Sequence, residues 1–105
     1  MNTARISILI ENLKTALQQQ NLWESSPPSP EALASQQPFS YDTLEPQQWL
    51  QWIFITRLEA MISASQPLPS ALQLLPYFEE VWQDDVSKIK VLAAISDIDE
   101  AFASC

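Results

Sequence analysis

Ile6, Ile10, Leu13 and Leu17 recur at a four-three-four spacing near the start of the chain, with Leu9 and Ala16 widening the stripe. That is the 3.6-residue period of a helix with one apolar face, and it predicts a helix over residues 3–20. Thr3 is placed to cap its start, and Asn21 to end it in left-handed geometry. Val91, Ile95, Ile98 and Phe102 repeat the same spacing, flanked by Ile89 and Leu92, and predict a last helix over residues 86–103. The matching stripes point to terminal helices that pair as antiparallel neighbours.

Between them the pattern changes. Over residues 46–64 the apolar positions Trp49, Leu50, Trp52, Ile53, Phe54, Ile55, Leu58, Met61 and Ile62 leave only a narrow polar stripe at Gln48, Gln51 and Glu59. A helix apolar nearly all round is one wrapped by its neighbours, so this segment reads as the central helix. Pro46 suits its first turn, and Asp42, Thr43 or Glu45 can cap that end. Residues 24–40 are polar and proline-rich, a connector outside the core; Ser29 before Pro30 predicts a turn or two of helix near residues 30–35. Pro67 and Pro69 stop the central helix, because neither supplies the amide a helix interior needs. Residues 70–75 predict one turn, and Pro76 opens a helix through Tyr77, Phe78, Val81 and Trp82; the two read equally as one helix kinked at Pro76. No strand pattern occurs. The fold expected is all-α: a single domain spanning residues 1–105, a compact bundle or array of four to five helices around a central hydrophobic helix.

Composition then removes whole classes of chemistry. The chain has 105 residues, no His and no Gly. Without His it lacks the commonest general base and metal ligand, and without Gly it cannot form a phosphate-cradling glycine loop. No catalytic residue, metal site or cofactor is therefore expected. The net charge is -8, from thirteen acidic and five scattered basic residues, which argues against direct nucleic-acid binding and for a basic protein partner. The one cysteine, Cys105, cannot make an internal disulfide, and this predicts a cytoplasmic setting. No stretch approaches the roughly 18 apolar residues of a membrane span, and the apolar run at residues 6–10 is too short for a secretion signal.

The stretch from Gln37 to Trp82 carries a more specific pattern: Pro38-Phe39, Asp42-Thr43-Leu44, Trp49-Leu50-Gln51-Trp52, Phe54-Ile55 followed by Arg57, Pro67-Leu68-Pro69, and Pro76-Tyr77 with Glu79. In order and spacing it resembles the YqcC-like family, small bacterial proteins of uncharacterised function with an all-helical fold. Members are often encoded beside a tRNA pseudouridine synthase, so the resemblance implies a helper of a tRNA-modifying enzyme. A proline commonly precedes the arginine in that family; Thr56 stands there in this chain, restores the amide and predicts a straighter central helix.

Seven residues stand out as candidate interaction or structural positions: Asp42, Trp49, Trp52, Arg57, Tyr77, Glu79 and Glu80. Arg57 lies four residues after Ile53 and four before Met61, on an apolar stripe where a charge calls for a partner. Glu79, Glu80, Asp42 and the Tyr77 hydroxyl are the partners available to it. Trp49 and Trp52, three apart, are expected to cover one side of the central helix, as core or as a recognition surface. Glu79, Glu80, Asp84 and Asp85 crowd the end of one helix and the loop after it, where they could steer a basic partner; with Asp97, Asp99 and Glu100 they read as a solvated acidic face. Two functions follow: a non-enzymatic interaction or accessory protein, or a carrier of an apolar ligand whose anionic head meets Arg57. A closed core would favour the first, and an apolar cavity of a few hundred cubic ångströms beside Arg57 the second. Oligomeric state is not legible at this level.

Overall fold

In a computed structural model the chain is all-helical; residues 3–68 and 72–103 are described, and among them there is no strand. The N-terminal helix runs Thr3–Gln19 and buries Ile6, Ile10, Leu13, Ala16 and Leu17, the stripe read from the sequence. Thr3 is its first described helical residue rather than a cap. Asn21 takes φ 60°, its amide donating to the Gln18 carbonyl and that of Leu22 to Leu17, a Schellman ending. The last helix, Ile89–Ala103, is entered through a 3₁₀ turn at Val86–Lys88 and buries Val91, Ala94, Ile95, Ile98, Ala101 and Phe102. These two helices make the most extensive contact in the fold, as their shared spacing implies.

The central helix is where expectation and structure part. It occupies residues 46–63 as Pro46–Trp49 in α geometry, a π-helical stretch Leu50–Ile55, and Thr56–Ser63 in α geometry again. A regular α-helix places residues five apart about 140° from one another, whereas a π turn, bonded i to i+5, brings them to one side. Leu50 and Ile55, five apart, are therefore both buried, and Leu58 joins them. Thr56 does not give a regular helix: its hydroxyl donates 3.2 Å to the Gln51 carbonyl five residues back, supporting the wide turn. Ile53, facing away from that seam, is only half-buried.

Glu45 is the cap of the central helix. Its side chain and that of Gln48 form a reciprocal capping box, the Glu45 amide donating 2.8 Å to Gln48 Oε1. Asp42 and Thr43 instead fasten the connector: Ser35 donates 2.6 Å to Asp42, and Thr43 donates 2.7 Å to the Ala32 carbonyl within the short helix Pro30–Leu33 that Ser29 caps. The connector carries more of the core than its polarity implies. Phe39 packs against the core and Ser40 is buried within a 3₁₀ turn at Pro38–Ser40.

Ser65 ends the central helix at φ 56°, with Gln66 donating to the Met61 carbonyl. Leu75–Val81 forms a separate helix with Pro76 in its first turn, and residues 72–74 are not helical, so the kinked-helix reading fails. Pro69 of the proline turn, Ser70 and Ala71 of the turn expected at 70–75, and Cys105 lie outside the described residues.

Candidate functional site

The wide turn in the central helix decides where the singled-out residues go. Trp49 and Phe54, five apart, stack at 5.6 Å between centroids. Phe39 meets Trp49 edge-on at 4.8 Å and stacks on Tyr77 at 4.1 Å with planes 2° apart. Phe78 and Trp82 extend the cluster inward. Phe39 holds this position at φ 57°, ψ 15°, a left-handed conformation costing about 1–2 kcal/mol for a residue with a β-carbon. Its three ring contacts, each worth about 0.5–1.5 kcal/mol, offset that strain. Burial of the Tyr77 hydroxyl, with Glu45 nearby, pushes its pKa above the ordinary tyrosine value.

Trp52 leaves this group. Its indole Nε1–H donates 2.9 Å to Glu24, which also accepts from the Gln48 amide at 3.2 and 3.3 Å. Gln51, buried, closes the arrangement: it donates 2.7 Å to the Glu24 carbonyl and accepts 2.8 Å from the Glu24 amide. Within the narrow polar stripe of the central helix, Gln48 and Gln51 form a latch that holds the connector. The two tryptophans, three apart, thus serve different partners.

Arg57 is exposed, and among the described residues it makes no ion pair and no side-chain hydrogen bond. The expected buried pair with Asp42, Glu79, Glu80 or Tyr77 does not form. The cause is the π stretch, which turns Arg57 away from the buried side of the helix that Leu50, Ile55 and Leu58 share. There Arg57 rims a cleft of about 130 Å³ with Trp49, Ile53, Phe54, Leu58, Met61 and Leu72. Its composition suits the carrier reading but its size does not, since enclosed sites for drug-sized ligands run roughly 300–1,000 Å³.

The acidic residues divide in the same way. Asp99 is not part of a solvated face: its carboxylate accepts the Leu74 amide at 2.8 Å and the Leu75 amide at 2.7 Å, capping the helix Leu75–Val81 from the last helix. Asp85 accepts from Ser87 and pairs with Lys88 at 2.9 Å, and the Ser87 and Lys88 contacts hold its carboxyl below the usual carboxylate range. Glu59 pairs with Lys14 across the N-terminal and central helices, and that hydrogen bond raises the Lys14 pKa against the opposing effect of burial. Glu79 and Asp84 remain at the rim of a second groove, about 270 Å³, over Trp82, Val86, Ile89 and Leu92. Glu80 is exposed outside it. Trp49 and Tyr77 are thus brought together through Phe39, and Arg57 shares a cleft with Trp49, while Asp42, Trp52, Glu79 and Glu80 are dispersed. No group of three or more His, Cys, Asp or Glu among the described residues is arranged to hold a metal, and no described helix is long and apolar enough to cross a membrane.

Comparison with known proteins places this architecture. The profile of the DUF446 family, described as tRNA pseudouridine synthase C, matches residues 5–101. An uncharacterized protein of Haemophilus influenzae is 41% identical over 75 residues, 71% of each chain. The uncharacterized protein YqcC of Escherichia coli is 34% identical over 100 residues, covering 94% of this chain and 92% of its own length. The solution NMR structure of that YqcC superimposes with a TM-score of 0.84 over 95% of this chain and 86% of that one. A tRNA pseudouridine synthase C of Pectobacterium carotovorum is 40% identical over 58 residues, which are 55% of this chain but 15% of that protein.

Proposed function

This chain belongs to the DUF446 family of YqcC-like proteins, and from that premise we propose that it is a non-enzymatic accessory protein whose partner is a tRNA pseudouridine synthase. The observation that carries the reading is the Pectobacterium match: more than half of this helical unit recurs as a small part of a far longer chain bearing the enzyme's name. Joining two modules in one chain raises their effective concentration for each other, the arrangement expected of modules that act together.

The residues support the division of labour. Asp99, Asp85, Glu24 and Glu45 are engaged as caps and ties, so these carboxylates have structural work. Two of the basic residues are held in ion pairs, Lys14 and Lys88. With a net charge of -8, contact with tRNA falls to the partner.

The test is direct. The purified chain and the pseudouridine synthase of the same organism should co-elute on size exclusion as a complex, and pseudouridine formation on tRNA should change in rate or site preference when the chain is added. Two folded proteins that elute separately at tens of micromolar (a weak-complex limit of about -6 to -7 kcal/mol) and an unchanged activity would refute it.

A further inference from the structure

We propose that the groove between the helix Leu75–Val81 and the start of the last helix is the docking site for a basic, amphipathic helical segment of a partner protein. The last helix has two apolar faces. One, through Val91, Ile95 and Ile98, is in the core. The other runs from Val86 in the 3₁₀ turn through Ile89 to Leu92 at three-residue spacing and is uncovered at its start: Val86 is 79% and Ile89 61% exposed, while Leu92 packs partly on the core. Trp82, 7% exposed, is the floor beneath them, and the three side chains line the 270 Å³ groove with it.

The occupant follows from charge and shape. Glu79 and Asp84 stand on the rim, and among the described residues neither has a cationic partner. The cation beside the groove, Lys88, is neutralised by Asp85 and lies 5.7 Å from the Trp82 ring centroid. An acidic rim around an apolar floor complements a helix with apolar residues at i, i+3, i+4 and i+7 and Lys or Arg flanking them. A second copy of a chain with net charge -8 would set one acidic rim against another. No sheet edge among the described residues offers an extended peptide a strand to pair with. A basic segment is also what an RNA-modifying enzyme presents; this choice of partner rests on the accessory reading above, whereas the groove does not.

The probe is a synthetic helical peptide with leucines at i, i+3, i+4 and i+7 and lysines between, titrated into the full-length nitrogen-15-labelled chain. Saturable amide shifts centred on Trp82, Val86, Ile89 and Leu92 are expected, with affinity falling as salt rises. The double variant Val86→Lys, Ile89→Lys should bind at least about ten-fold more weakly, with its melt near the parental one because both side chains are exposed. Glu79→Lys with Asp84→Lys should weaken binding and flatten its salt dependence. Shifts centred on the Trp49–Leu72 cleft, equal binding of the same peptide with glutamates for lysines, or unaltered affinity of the lysine variant would overturn the proposal. So would a dimer in sedimentation that the lysine variant dissolves. The same variants mixed with the synthase separate the two ideas. Undiminished complex formation by the Val86→Lys, Ile89→Lys variant removes the groove and leaves the accessory reading; peptide binding without synthase binding removes the accessory reading and leaves the groove.

Discussion

Replacing Asp99 by alanine tests how the helix Leu75–Val81 is held. Its N-terminus lacks a local cap, and Pro76 has no amide, so the Leu74 and Leu75 amides depend on the Asp99 carboxylate at 2.7–2.9 Å. A hydrogen bond to a charged acceptor contributes about 1.5–3 kcal/mol, and a stranded buried donor costs about 1–3 kcal/mol. Leu74 is 2% exposed, so its amide has little access to water. Asp99 itself is half-buried, and the Leu75 amide can recover part of its loss from solvent. The net loss therefore stays within these ranges, about 2 kcal/mol, or a drop of roughly 10 °C in melting midpoint for a domain of this size. Asp99→Asn keeps an oxygen acceptor and should lose about half as much. Thermal melts give the stability, and hydrogen exchange at the Leu74 and Leu75 amides gives the location: both should exchange faster before any other part of the fold does. An alanine variant melting within about 2 °C of the parent, with those two amides still protected, would refute the assignment of Asp99 as the cap.

Two further outcomes are expected. Ser65→Gly should raise stability by about 1 kcal/mol, read by urea denaturation, because a side chain at φ 56° is strained and glycine relieves it. The Lys14–Glu59 tie raises the Lys14 pKa in the folded state, so its contribution is complete below the ordinary value of 10.5 and is lost as pH climbs through the raised one; melts of the parent and of Lys14→Met should converge only in that alkaline range.

Where the signal was local, the sequence was sufficient. The terminal helices follow their four-three-four stripes, Asn21 and Ser29 cap where their side chains allow, and Pro76 opens a helix. The central helix defeated the same reasoning because its core residues Leu50 and Ile55 are five apart, a spacing that α periodicity assigns to different faces. The same α periodicity puts Arg57, four residues from both Ile53 and Met61, on an apolar stripe, whereas it is exposed. Asp99 and Glu24 were missed because each acts across the fold, on Leu74 and Leu75 and on Trp52, with no signature among its neighbours in the chain. The signal for the groove was present in Val86, Ile89 and Leu92. It was hidden by the stronger core stripe on the other face of the same helix.

The π stretch Leu50–Ile55 has a bearing on how this helix can vary between relatives. A wide turn accommodates one residue more than an α turn while leaving the segments on either side facing as before. The half-buried Trp52 and Ile53 lie at its crest, so loss of one residue there can be absorbed by tightening the turn, with Leu50 and Leu58 still directed inward. The same loss a turn later, within Thr56–Ser63, has no slack to draw on. It would swing the remainder of the helix by about 100° and carry Met61 and Ile62 off the core. Length variation in this family should therefore collect at the crest of the turn, and the stretch around Leu58 should be of fixed length.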